Sequence, residues 1–350
     1  MRLFLSLLVL AVLMQAAPAK AFTNIRSDES IIFFTTAARV SPDGSQWVVP
    51  VHAWVFEKEG DSLWRRGALE GAAMSLGLAP SPKRSADFKK RVSPFLYDNE
   101  RGKYIVTSLS PQRLGPSTPD GHLRGEIRLP RKAGEGLKRF TFKAVLQPGD
   151  KREFKGVSIM TPQKGLIVVS DIDDTVKISE VNDKQALLKN TFERPYRAAE
   201  GMAEAYQRLK KAGVTLHYVS DSPWQLYAPL RRFLKDAGFP QAAFHLKNFR
   251  LKGSTFLSLF DSPTESKPPL IERLLIDFPR HEFILIGDSG QKDPEIYGEI
   301  ARKYQGRVRH IYIRRVTRET ERNPRYFNAF SGLKPSLWTV FDDASVINAE

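Results

Sequence analysis

From Lys164 onward the chain alternates between short apolar runs and longer stretches of helical period. The runs fall at 166–169, 214–219, 283–286 and 308–313, and the helical patterns at about 199–212, 223–237, 267–278 and 293–304. Continuous apolar runs predict strands buried on both faces, and their alternation with helices predicts a parallel α/β sheet covered on both sides. Residues 23 to about 162 read differently. "RFTFKAVL" sets Phe140, Phe142, Ala144 and Leu146 on one face, and "HLRGEIRL" does the same with Leu123, Ile127 and Leu129. Turn signals stand at Pro42-Asp43-Gly44, Asp120-Gly121 and Pro148-Gly149-Asp150. This alternation predicts short strands in a sandwich or small barrel. Residues 65–78 and 84–92, the second with Lys89, Lys90 and Arg91, read as helical or irregular insertions. The expected organisation is a leader at 1–21, an all-β domain at 22–163 and an α/β domain at 164–350.

The leader is "MRLFLSLLVLAVLMQAAPAKAF". Arg2 precedes an apolar run from Leu3 to Met14, and Ala17-Pro18-Ala19 or Ala19-Lys20-Ala21 supplies a small-x-small site, the pattern of a cleaved secretory signal peptide. A run of about twelve is short of the roughly 20 residues needed to span a bilayer. The chain has no cysteine. That removes disulfides, cysteine nucleophiles and thiolate zinc sites, and with the leader it predicts an exported protein of the bacterial periplasm or cell envelope. The formal net charge of +15 suits an anionic partner such as a phospholipid surface, nucleic acid or a phosphorylated polymer, and equally serves solubility alone. The chain shows no nucleic-acid-binding motif.

The chemistry concentrates where the first apolar run ends, in "GLIVVSDIDDTVKIS". Three aspartates in four residues repel one another, so a cation must offset them. Asp171 and Asp173 are two apart and point the same way wherever extended geometry persists. A second acidic cluster, Asp288 and Asp293, follows the run "FILIGD". Between them Ser220 ends a strand, and Lys267 opens the helix that leads into the Asp288 strand. Ligands of open α/β sheets sit outside the carboxyl ends of the strands, which is where all these groups fall. Carboxylates from two neighbouring strands make a hard oxygen site suited to Mg²⁺. Lys267 would neutralise a further charge, and a helix N-terminus near Ser220 or Ser222 offers N–H groups to an anion. A carboxylate nucleophile in such a site forms an aspartyl-phosphate, and a second carboxyl group two residues on can protonate the leaving oxygen and then deprotonate water.

These residues resemble the haloacid-dehalogenase-like phosphotransferases, whose D-x-D-x-T signature stands here as Asp171-Ile172-Asp173-Asp174-Thr175, followed in order by Ser220, Lys267 and Gly287-Asp288 with Asp293. The stretches "VVSDIDDTVKIS", "LLKNTFERPY", "SDSPWQLY", "IERLLIDFPRHEFILIGDSGQKDPEIY" and "HIYIRRVT" look like the actin-patch-associated phosphatidate phosphatase family, with further likeness at "PVHAWVFE" and "DNERGK". The resemblance implies a Rossmann-like, haloacid-dehalogenase-type parallel sheet preceded by the all-β domain. It implies Mg²⁺-dependent hydrolysis of phosphatidate to diacylglycerol. Asp171 would be the nucleophile and Asp173 the general acid/base. Ser220, Lys267 and Thr175 would hold the phosphate, and Asp171, Asp173, Asp288 and Asp293 would form the metal group.

Alternatives stand beside this reading: another phospholipid monoester such as phosphatidylglycerophosphate, a small soluble phosphomonoester, or a protein that binds anionic membranes and carries a vestigial phosphatase half. Phosphatidate or another anionic phospholipid is the expected partner, with peripheral membrane contact and no obligate protein partner. Asp174 reads as a supporting residue or a helix cap. Asp221 and Ser222 read as leaving-group contacts or turn residues, and Lys247 or Lys252 could replace Lys267. The six histidines show no metal-ligand spacing and read as structural. Trp224, Tyr227, Leu230 and Phe233 read as core rather than acyl contacts, and the insert at about 178–198, with Leu187, Leu188 and Phe192, as a small cap.

Overall fold

A computed structural model describes residues 21–58, 85–249 and 266–349, with five positions between 67 and 74. The leader to residue 20, most of 65–78, and Lys252 lie outside the described residues.

Among the described residues the N-terminal half holds nine strands: β1 (Glu29–Phe34), β2 (Thr36–Val40), β3 (Gln46–Glu57), β4 (Asp98–Asn99), β5 (Ile105–Thr107), β6 (Ser110–Leu114), β7 (His122–Pro130), β8 (Arg139–Lys143) and β9 (Lys155–Met160). Seven form one sheet of order β1-β3-β2-β9-β8, with β4 and β7 also on β3, and β5 pairs with β6. Pairing is antiparallel except between β2 and β9. Strand β3 explains why both faces are buried. Trp47, Val49, Val51, Ala53 and Val55 pack with Leu123, Ile127, Phe140 and Phe142, whereas Trp54 and Phe56 belong to a core shared with the C-terminal half. Helix α1 (Ala86–Val92) starts at Ser85, whose side chain accepts from Phe88 N.

Among the described residues the C-terminal half holds a six-stranded sheet in which every pairing is parallel. Its strands are β10 (Gly165–Ser170), β11 (Thr215–Pro223), β12 (Ala243–Lys247), β13 (His281–Asp288), β14 (Val308–Arg314) and β15 (Trp338–Phe341), in the order β12-β11-β10-β13-β14-β15. The helices are α2 (Lys184–Phe192), α3 (Met202–Lys211), α4 (Tyr227–Asp236), α5 (Lys267–Asp277), α6 (Asp293–Lys303) and α7 (Pro324–Ala329). Each of the four helices expected from periodicity buries one stripe: Met202, Ala205, Tyr206 and Leu209 in α3, for example, and Ile296, Tyr297, Ile300 and Ala301 in α6. Alternation along the strands splits the core, with Val168, Ile284 and Leu216 on one face and Ile167, Leu285 and Val219 on the other. The two edge strands β12 and β15 carry no continuous apolar run, since each buries only part of its length, and so left no strand signal. Trp224, Tyr227 and Leu230 are core residues, as periodicity suggested.

The two halves meet across an aromatic and histidine seam. Phe34 lies 4.2 Å from Trp224 and 4.9 Å from Tyr227, between ring centroids, and the Tyr227 hydroxyl accepts from Thr35 N at 2.9 Å. His52 Nε2 and His122 Nδ1 share a proton at 2.9 Å, as do His217 Nδ1 and His245 Nε2 at 3.0 Å. Burial pushes His52 and His217 well below the usual imidazole range, His122 and His245 to about 4, and His281 in the same direction. Arg124 adds to the depression at His52, His122 and His245, and Asp120 opposes it at His122. A folded value below the unfolded one means that stability is complete above about pH 6.5 and is lost as pH falls toward about 4, at about 1.4 kcal/mol per pH unit for each histidine that folding keeps neutral. Asp171, Asp221 and Asp288, pushed up by burial, pull the other way, but the six lowered histidines, His310 included, outnumber them. The urea midpoint is therefore expected to fall steeply between pH 7.5 and pH 5; a flat or rising midpoint would contradict the neutral-histidine seam.

Candidate active site

Strand β10 is buried along Ile167–Ser170, and the chain stays hydrogen-bonded to β13 one residue further, Asp171 N donating to Ile286 O at 2.9 Å. The sheet order places the reversal between β10 and β13, because the chain builds β11 and β12 on one side of β10 before crossing to the other. Asp171 and Asp288 therefore end adjacent strands and meet. Beyond Asp171 the backbone turns sharply. Asp174 sits at φ 56°, an arrangement open to aspartate at modest cost, and its carboxylate accepts from Ser179 N, Glu180 N and Val181 N at 2.6–2.9 Å. Arg314 Nη1 holds the Asp174 carbonyl at 2.8 Å. Asp174 thus anchors the loop and does not cap a helix.

The turn sends Asp173 into different company from Asp171. Asp171 Oδ1 is 2.9 Å from Lys267 Nζ, and Asp171 Oδ2 accepts from Thr175 Oγ1 at 3.2 Å. Asp173 Oδ1 is 2.8 Å from Lys177 Nζ and accepts from Ser179 Oγ at 2.7 Å, while its Oδ2 accepts from Ser222 Oγ at 2.8 Å and Ser220 Oγ at 3.4 Å. Lys267 also reaches Asp293 Oδ1 at 2.6 Å. Asp293 opens α6 and tucks against the end of β13, where its Oδ2 accepts from Asp288 N at 3.2 Å. Only glycine permits that approach at 287, since a Cβ there would lie 2.3 Å from Asp293 Oδ2. Asp288 Oδ1 accepts from Gly290 N at 2.6 Å, and its buried Oδ2 has no partner among the described residues.

Asp171, Asp288 and Asp293 offer oxygens within 4.8 Å of one another. Burial first, then the neighbouring aspartates, pushes Asp171 and Asp288 well above the usual carboxylate range. Burial alone would lower Lys267, but Asp171 and Asp293 outweigh it and hold the ammonium charged. Three buried carboxylates thus share one lysine, and an orphaned oxygen faces the same place. That charge imbalance and donor set fit a hard divalent cation. Asp173 is the opposite case. Burial would raise it, but Lys177, then Ser179 and Ser222, hold it down at about 2. Its carboxylate lies outside the group of three.

The site opens into a cavity of about 430 Å³ lined by Asp171, Asp173, Ser220, Asp221 and Ser222, by the apolar Val181, Leu187, Phe192, Pro223 and Leu226, and by polar and cationic residues that include Asn182, Lys184, Gln291, Lys292 and Arg325. Leu187 and Phe192 come from α2, within the insert read as a cap. Thr175 is buried behind Asp171 and does not line the cavity. Asp221 accepts from Ser266 Oγ and lines the cavity. Sequence reading passed over Lys177 and Ser179, although a lysine four residues after Asp173 was a signal within the motif itself. It also passed over Arg325, for which the sequence holds no signal. Arg325 reaches the cavity rim from α7, donating to Ser289 O at 2.6 Å, to Gln291 O, and to Glu295 at 2.7 and 3.0 Å.

Fold and site together define a parallel α/β domain with a lysine-bridged cluster of acids at the carboxyl edge of its sheet, at the point where strand order reverses. Residues 166–315 match the family model described as phosphatidate phosphatase APP1, catalytic domain, and this part of the chain is similar to that domain. The chain is 34% identical over 154 residues to phosphatidate phosphatase APP1 of Saccharomyces cerevisiae, covering 43% of this chain and 26% of the relative. It is 28% identical over 158 residues to an uncharacterized protein of Schizosaccharomyces pombe, covering 44% and 26%. The chain thus spans about a quarter of the length of the curated relatives it matches. A Thermotoga maritima structure described as a β-phosphoglucomutase matches with 14% identity over 52% of this chain and 95% of that one, at a TM-score of 0.32, too low to bear on the argument.

These relatives correct one expectation. A signal peptide and a bacterial periplasmic or envelope location were read from the leader and the missing cysteine, yet both matched relatives are yeast proteins. An apolar run behind one arginine and an absence of thiols are features of composition. Neither touches the site, and neither fixes a compartment. Among the described residues no helix is long and apolar enough to cross a membrane.

Proposed function

We propose that the chain is a phosphatidate phosphatase of haloacid-dehalogenase type, releasing phosphate and diacylglycerol by way of an aspartyl-phosphate on Asp171. The observation that carries the reading is a single one. Asp171, bridged to Lys267, and Asp173 line a cavity whose walls also carry the apolar side chains of Val181, Leu187, Phe192, Pro223 and Leu226 and the cationic ones of Lys184, Lys292 and Arg325. The carboxylates and cations suit a phosphomonoester, and the apolar side chains suit the acyl chains attached to it.

Asp171 attacks phosphorus, and the bond to the glycerol oxygen breaks. Lys267 and Ser220 balance charge on the phosphoryl oxygens, which with positioning supplies much of the rate in such transfers. Asp173 gives its proton to the leaving oxygen, then accepts one from the water that cleaves the acyl phosphate. The serine and lysine contacts favour its ionised form, which suits the second step. A phosphate dianion brought beside it raises its proton affinity for the first. Asp171, Asp288 and Asp293 would hold Mg²⁺, which supplies charge neutralisation at the phosphoryl group.

Phosphate release from phosphatidate in mixed micelles is expected to require Mg²⁺ and to stop in EDTA. Release from a soluble aryl phosphate but not from phosphatidate would move the reading to a soluble phosphomonoester. Silence on both would favour a binding protein with a vestigial site.

A further inference from the structure

The N-terminal half reaches the site through α1 and the turn that follows it. Arg91, at the end of α1, is 4% exposed, and its Nη1 donates to Thr191 O at 3.2 Å and to Arg194 O at 2.6 Å. These carbonyls end α2, so the guanidinium caps the helix that forms one wall of the cavity. Phe95, just beyond α1, adds an edge contact to Phe192 with 5.9 Å between ring centroids. The same guanidinium lies 3.7 Å from the centre of the Tyr196 ring. Lys177 Nζ lies 5.0 Å from that ring centre and pairs with Asp173 at 2.8 Å. The backbone tightens the connection, because Ile178 N donates to Arg197 O at 2.9 Å and Ala199 N to Val176 O at 3.0 Å. Tyr196 itself donates to Thr191 O at 3.1 Å. A continuous set of contacts therefore runs from α1 through Tyr196 and Lys177 to the Asp173 carboxylate.

We propose that Arg91 is a positioning residue for Asp173, so that the N-terminal half is part of the working site and serves turnover even of a soluble substrate. The argument is one of packing. Among the described residues Lys177 is buried with a single carboxylate partner, Asp173, and the Tyr196 ring is one wall of its enclosure. Removing the cation from that ring frees the end of α2 and the segment 193–198 that pairs with Lys177 and Ile178. Asp173 then keeps its neighbours but loses its fixed direction. The proposal rests on the reading of Asp173 as general acid, and the test separates the two.

The test compares an alkyl phosphate, whose leaving oxygen needs a proton, with an aryl phosphate of low leaving-group pKa, which does not. Arg91→Ala is expected to lower kcat on the alkyl substrate by at least about tenfold, part of the ~10²–10⁴ that a general acid contributes, with little change on the aryl substrate and little change in KM. Arg91→Lys, which can reach one carbonyl but cannot cover the ring, should fall between. Tyr196→Leu leaves α1 and Arg91 in place and should bias the two substrates the same way, which keeps the test sound if Arg91→Ala fails to fold. Equal losses on both substrates in Arg91→Lys and Tyr196→Leu, or no loss, would overturn the proposal. Asp173→Asn is the reference: if it shows no leaving-group bias, the general-acid reading is wrong, and the proposal built on it falls for that separate reason.

Discussion

Asp171→Asn is expected to abolish phosphate release while leaving the protein at least as stable as the parent. The two halves of that statement have different physical origins. Loss of a nucleophile from a concerted catalytic group commonly costs on the order of 10⁴ or more in rate, and an amide cannot form the acyl phosphate. Stability should hold because the folded environment opposes a charge on Asp171: burial first, then Asp293 and Asp173, against the pull of Lys267, pushes its carboxyl well above the ordinary range. Asparagine keeps the volume and removes one of three crowded negative charges, and Lys267 retains Asp293 at 2.6 Å. Single-turnover phosphate release and a melting curve check both parts. Retained turnover would remove Asp171 from the nucleophile role. A clear drop in melting temperature would mean that attraction to Lys267 outweighs the repulsion.

Lys267→Met should have the largest effect on stability. The lysine is 2% exposed and bridges Asp171 and Asp293, so its removal leaves three buried carboxylates without a cation. Breaking a buried pair from one side costs about 3–5 kcal/mol. The sign with pH is set by the carboxylates. Without the ammonium the folded pKa values of Asp171 and Asp288, already raised by burial, rise further above the unfolded values, so the variant loses stability as pH rises, and its deficit should be larger at pH 8 than at pH 5.5. Urea unfolding in EDTA at the two pH values measures this. Mg²⁺ should narrow the gap, because a divalent cation offsets the same charges. A variant as stable as the parent in EDTA at pH 8 would show that the three aspartates are not ionised together.

Most of the C-terminal architecture was legible in the chain. Four apolar runs became β10, β11, β13 and β14, and four periodic stretches became helices, because strands buried on both faces must be continuously apolar and each helix must bury one stripe. The edge strands β12 and β15 were silent because an edge buries only part of its length. In the N-terminal half, alternation located β7 and β8, yet β3 is buried on both faces and left no alternation to read.

At the site, the chain's own pattern placed Asp171, Asp173, Ser220 and Asp288 at strand ends, Asp293 shortly after the last of them and Lys267 at a helix start, since motif spacing and strand termini are local properties. It could not say which carboxylates share a cation. Only the order β11-β10-β13 makes Asp171 and Asp288 neighbours, and only the turn at Asp174 sends Asp173 away to Lys177 and Ser222. Thr175 was read as facing phosphate, but the same turn buries it behind Asp171. Arg91 and Arg325 reach the site from α1 and α7, elements far from the motifs in sequence. Contacts of that kind depend on how faces meet after the chain has folded, and no local pattern records them.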